Sequence, residues 1–266
     1  MKTPLALIVR IELIKFLKRK DFVAILGIVC IGFIFALNMR GEGYTGAENQ
    51  SAVFWVTTQL LTVTSLFIGP IIMAFIGTQM LSSEIDNNSI LLFNSRIRNR
   101  EKMYFGKSIA MVLIGMLFFI VSVGILFVIY LVCTDDSTRY VTGKILGNNT
   151  LDLILVMFMN YVYAFFFVPQ LTLFLGSKFK PLVSVIFAFG VSLFFGNTGT
   201  LPLVKYFNPM YYVVRLANDV ASTTEIIHID VSERVFCVLA QLALCIAVCL
   251  VFNLLGAQQL LSLIHI

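Results

Sequence analysis

Apolar positions along this chain fall in long unbroken runs, not in strand-like alternation. Six runs stand out, over residues 22–37, 53–81, 106–132, 151–175, 182–196 and 235–257. A helix needs about 20 residues, at ~1.5 Å each, to cross a ~30 Å hydrocarbon core. The pattern predicts an all-α membrane protein with six transmembrane helices, the run at 182–196 being short for a full crossing. Residues 1–21 are patterned differently. Leu5, Val9, Leu13 and Phe16 recur at helical spacing, while Arg10, Lys15, Lys18 and Arg19 fall largely on the other side. An amphipathic helix in the membrane interface fits, with its basic groups toward anionic headgroups. Ile8, Ile11 and Ile14 blur the stripe.

Details within the runs sharpen the expectation. Trp55, the only tryptophan, opens the second run, where an aromatic interfacial anchor is expected. Pro70, after Gly69, should kink that run. Ser65, Gly69 and Met73 in the second run, and Ser184, Ala188 and Ser192 in the fifth, form small-residue faces suited to close helix packing. Residues 197–234 are the longest segment between runs, too apolar at first for a solvated loop. They are predicted to dip into the outer leaflet and return as a short helix, which is tolerated where the backbone packs on protein or lines a wet cavity.

Composition sets the class. The chain is 59% hydrophobic and 12% charged, with mean hydropathy +0.95, whereas soluble domains are about a quarter charged. A soluble enzyme with a large core is excluded, and residues 1–260 read as one transmembrane domain. The net charge of +5 would suit nucleic acid, but the positive residues sit in short loops, so no nucleic-acid partner is expected. With both termini cytoplasmic, thirteen of the nineteen Lys and Arg but five of the fourteen acids fall inside, as the positive-inside rule requires. The tract Leu261–Ile266 reads as the translation of a sequencing-adapter scar and carries no weight in the fold.

Candidate chemistry is sparse. Gly106-Lys107-Ser108 has the tail of a phosphate-binding loop, but Glu101 stands where its first glycine should be. The chain is expected to bind no nucleotide, no metal and no other cofactor, and to be no enzyme. The runs hold almost no ionisable groups, which argues against an ion-coupled carrier. Asn160, Gln170, Gln241 and Asn253 are embedded amides, suited to interhelical hydrogen bonds or to a substrate path. Asn208 and Pro209 of the outer segment are further candidates for that path.

The segment from Glu84 to Lys107 is the one long polar stretch between two apolar runs that carries a dense basic cluster, Arg96, Arg98, Arg100, Lys102 and Lys107. Its middle, Ile90-Leu91-Leu92-Phe93, is an apolar knob framed by Asn87, Asn88, Ser89 and by Asn94, Ser95. This reads as a short cytoplasmic helix offered to a soluble partner.

The order of these features resembles the ABC-2 type permeases, the membrane subunits of ATP-binding-cassette exporters. Glu84, Leu91, Leu92, Ser95, Arg96, Ile97, Arg100, Gly106 and Lys107 match the family's cytoplasmic loop. Tyr206-Phe207-Asn208-Pro209-Met210-Tyr211-Tyr212 looks like its Asn-Pro-x-x-Tyr segment. The resemblance implies a permease in a bacterial plasma membrane, paired with a second permease. A separate ATPase would hold the ATP and Mg. Glu84, Ile90, Leu91, Leu92, Phe93, Ser95, Arg96 and Arg100 would then form the coupling surface for that ATPase. Export of, or immunity to, antimicrobial peptides is one implied role. The alternative is a non-transport sensor or scaffold that docks a partner through the same loop.

Overall fold

The computed structural model describes residues 5–19, 21–38, 51–61, 68–90, 100–133, 145–147, 150–198, 201–202, 204–221 and 230–262. Among these, every regular element is helical. α1 (Leu5–Arg19) leads through a 3-10 turn, Asp21–Ala24, into α2 (Ile25–Asn38). α3 (Ala52–Gln59) and α4 (Gly69–Met80) occupy the second apolar run, and α5 (Ser82–Asp86) follows at once. α6 (Arg100–Cys133) is the longest helix. α7 (Thr150–Gly176) and α8 (Pro181–Asn197) form a pair. α9 (Pro209–Ala221) and α10 (Val231–Ser262) complete the described fold.

Among the described residues, three stretches are long and apolar enough to cross a membrane: Glu101–Cys133, Thr150–Gly176 and Val231–Leu260; Pro181–Asn197 is a shorter apolar helix. Their outward faces are apolar too. Leu117, Ile120 and Val132 on α6 and Leu239, Leu250 and Leu254 on α10 are exposed. A face this apolar is stable only against lipid or more protein. α6 is the central element, touching α1, α2, α3, α7 and α10.

Elements gather at two ends. At one, Ser82 Oγ donates to Phe179 O at 2.8 Å, joining the start of α5 to the α7–α8 turn; α1 and the start of α6 lie here as well. At the other, Val53 N donates to Ile145 O at 3.3 Å, and a Cβ on Gly147 would lie 2.8 Å from Ser51.

α7 is not regular throughout. Val162–Phe167 is π-helical, and Val168 N–H reaches back five residues to Tyr163 O. Pro169 supplies the cause. It has no N–H for the carbonyl four residues earlier, Phe165 O, and its ring crowds that carbonyl; a wider turn relieves both. Gly115 of α6 receives the displaced oxygen, since a Cβ there would stand 2.1 Å from it.

Two expectations change. The packed face of α1 is Ile8, Glu12 and Phe16, and Leu7, Ile14 and Leu17 are exposed instead. Ile8 is thus core, and Lys15 and Arg19 turn inward. Trp55 is no interfacial anchor: it is buried, with its ring 5.9 Å from that of Tyr130. Pro70 falls in the first turn of α4, where regular α-helix resumes at Gly69 directly after the π-helical Ile68; Ser65 lies outside the described residues. The small-residue face at 182–196 is borne out, because Ser184, Ala188 and Ser192 are the buried residues of α8.

Candidate coupling site

The base of the Glu84–Lys107 segment is built around a buried ammonium. Lys107 lies in the second turn of α6, and a neighbouring glycine lets α1 approach it. A Cβ on Gly106 would stand 2.6 Å from Ile8 Cγ2 and 3.0 Å from Ile8 Cβ. With α1 that close, Glu12 points at Lys107. Lys107 Nζ donates to Glu12 Oε1 at 2.9 Å, to Glu84 Oε2 at 2.8 Å and to Met80 O at 2.7 Å. All three of its donors are used. Lys15 Nζ closes the ring, donating to Glu12 Oε1 at 3.0 Å and to Glu84 Oε1 at 2.9 Å.

Two acids and two bases thus make a neutral cluster across α1, α5 and α6. Lys107 and Glu12 are each 1% exposed. Burial alone would raise the pKa of Glu84, but the two ammonium groups beside it outweigh that and hold it below the usual carboxylate value. Met80 ends α4, so its carbonyl is one of the helix's terminal acceptors, and Lys107 caps it at the negative end of the helix dipole. Arg19 Nη1 donates to Gln79 O at 2.8 Å beside it.

The chain then turns into the loop. Leu81 breaks α4 from α5, and Asn88 adopts a left-handed φ of 56°, a conformation asparagine tolerates well. Ser89 Oγ donates to Glu84 O at 3.2 Å. Ile90 is buried in the core, so it does not belong to an outward-facing knob. Leu91, Leu92, Phe93, Ser95 and Arg96 lie outside the described residues. Arg100 is the first residue of α6.

Among the described residues, no hydrogen bond joins the candidate path residues Asn160, Gln170, Asn208 and Pro209 to one another. Gln170 exchanges bonds with Ser108, accepting from Oγ at 2.7 Å and donating to O at 3.1 Å, and Asn253 Nδ2 reaches Gln170 Oε1 at 3.2 Å. Gln241 Nε2 donates to Met159 O at 3.0 Å. These three amides bridge helices. Asn208 is fully buried and caps α9: its Oδ1 accepts from Met210 N at 2.9 Å, its Nδ2 donates to Phe195 O at 2.6 Å, and Pro209 takes the first helical position. Asn160 is buried with both amide atoms unpaired.

At the far end, Arg215 of α9 pairs with Glu233 of α10, and Arg234 Nε lies 3.0 Å from Asp152 of α7. Sequence reasoning had missed Glu12 and Lys15 as partners of the loop. The available signal was an acid in line with Ile8 and Phe16, on an otherwise apolar face.

Residues 8–197 match the family model described as ABC-2 family transporter protein. The match covers more than half of the chain and takes in Glu12, Lys15, Glu84 and Lys107. The chain therefore belongs to the ABC-2 transporter family and is a multi-pass membrane protein of a permease type. No curated protein and no solved structure matches it.

Proposed function

We propose that the chain is the membrane-spanning permease subunit of an ABC exporter, driven by ATP hydrolysed in a separate subunit. In this reading α2, α3 with α4, α6, α7, α8 and α10 are the six spans, and both termini are cytoplasmic. The Lys107 end of the bundle faces the cytoplasm, and the permease works as a dimer in a bacterial plasma membrane. Residues 84–100 engage the ATPase, with Leu91, Leu92 and Phe93 as the apolar contact. ATP and Mg belong to that partner. Antimicrobial peptides are the proposed cargo class.

One observation carries the reading: the neutral cluster of Glu12, Lys15, Glu84 and Lys107 fastens the base of the loop to both α1 and α6. A push delivered at the loop is thereby passed to a long helix at the centre of the bundle. A buried, neutral ion cluster suits that role because breaking it leaves uncompensated charge in a low dielectric.

The test is co-purification with an ATPase encoded beside this chain, followed by ATP hydrolysis with wild type and with Leu92→Asp/Phe93→Asp. The double variant should stay in the membrane and lose the ATPase, since it places charge at an apolar contact. A folded wild-type chain that retains no ATPase would favour the sensor or scaffold reading.

A further inference from the structure

α3 turns two polar side chains inward, and each leaves a polar atom unpaired. Trp55 and Gln59 are four residues apart and so share a face of the helix. Both are buried, and α6 and α7 are the helices α3 packs against. Trp55 Nε1 has no acceptor and Gln59 Oε1 has no donor. On the neighbouring α7, Asn160 is 1% exposed with neither Oδ1 nor Nδ2 paired. Gln170, Gln241 and Asn253 each donate to a partner on the protein, so the bundle does satisfy amide nitrogens elsewhere.

Gln59 and Asn160 lie at similar depth, with Trp55 about one helical turn nearer the Ser51 end. α3 and α7 both start at the end where Ser51 meets Gly147. At ~1.5 Å per residue, Gln59 lies about 12 Å from Ser51 and Asn160 about 15 Å from Thr150. Unpaired polar groups buried at membrane depth are strongly unfavourable. Several within a turn or two of each other on adjacent helices are better explained by something they bind than by separate defects.

The chemistry defines the ligand. Trp55 offers an N–H, Gln59 a carbonyl oxygen and Asn160 one of each. No Asp, Glu, Lys or Arg occurs in α3, or in α7 after Asp152. The complement is a neutral group that both accepts and donates, as a peptide amide does. We propose that Trp55, Gln59 and Asn160 form a binding site, within one protomer, for the amide group of an uncharged apolar peptide. Its role in transport rests on the permease reading; binding itself does not.

Because Trp55 is the sole tryptophan, its emission reports on the site in the chain alone, in detergent micelles and without an ATPase. The probes are N-acetyl-leucyl-leucinamide, its free-acid form, and the matching ester that lacks the central N–H. The blocked amide should give a saturable change in emission, with weaker responses to the acid and the ester. Asn160→Leu and Gln59→Leu should each weaken the response roughly tenfold, the scale of one lost hydrogen-bonded pair, while Asn253→Leu should not. Two leucine variants guard against one failing to fold. No saturable change with the amide, or equal responses to amide and ester, would overturn the proposal and leave water as the occupant. Failure to capture an ATPase would leave this binding unchanged, so the two readings fail separately.

Discussion

Glu12 and Lys107 are separated by 95 positions in the chain and meet at 2.9 Å in a site almost closed to solvent. Lys107 holds Glu12, Glu84 and the end of α4 together. Lys107→Met should therefore destabilise the fold by about 3–5 kcal/mol, because it leaves two carboxylates buried against one lysine. Glu12→Gln/Lys107→Met should cost less than the two single changes together. Thermal unfolding in detergent, followed by loss of the monodisperse species, measures both. Additive effects would mean that the two groups do not act as a pair.

The same cluster predicts a pH dependence. Burial opposes the charge on Glu84, but Lys107 and Lys15 stabilise it, and the folded pKa lies below the unfolded one. The stabilisation is thus complete above the ordinary carboxylate pKa and is lost as pH falls through the depressed folded value. Wild type should hold its thermal stability from neutral pH down to mild acid and lose it in stronger acid. Glu84→Gln should start less stable and show a shallower acid limb. An identical acid limb in both proteins would remove Glu84 from the explanation.

Asn208 gives a second prediction, remote from the loop. Asn208→Ala removes a buried N-cap and leaves Phe195 O without its donor; the cap alone is worth about 1 kcal/mol. Asn208→Asp keeps the acceptor for Met210 N but loses the bond to Phe195 O. The expected order of thermal stability is wild type, then Asp, then Ala. Asp falling below Ala would mean that a buried charge outweighs the cap.

How far the sequence revealed this arrangement depends on the range of each contact. Ser184, Ala188 and Ser192 were readable because a four-residue spacing on one helix suffices, and all three are buried. The α1 face was only half readable. Hydrophobic periodicity scores Glu12 as an outward residue, whereas its charge is neutralised by lysines that the local pattern cannot assign to it. Gly106 and Lys107 were visible as a motif, but their work, seating Ile8 and gathering Glu12 with Glu84, depends on a helix nearly a hundred residues earlier. Trp55 was misplaced for a similar reason: an aromatic at the start of an apolar run has the same local pattern whether it faces lipid or Tyr130.

Gly115 and Gly124 lie on the same helix and should respond in opposite ways to alanine. A Cβ at Gly115 would stand 2.1 Å from Phe165 O, a backbone atom that cannot swing aside, so Gly115→Ala must push α6 away from the π-helical turns of α7. At Gly124 a Cβ meets nothing within 4 Å, and the better helix propensity of alanine should leave stability unchanged or raised by up to about 1 kcal/mol. Pro169→Ala tests the cause. It restores an N–H for Phe165 O and removes the ring that displaces it. If the π-helical turns follow from Pro169, the proline change should partly rescue Gly115→Ala in the double variant. Thermal unfolding of the four proteins decides it, and strictly additive losses would show that the glycine and the proline act independently.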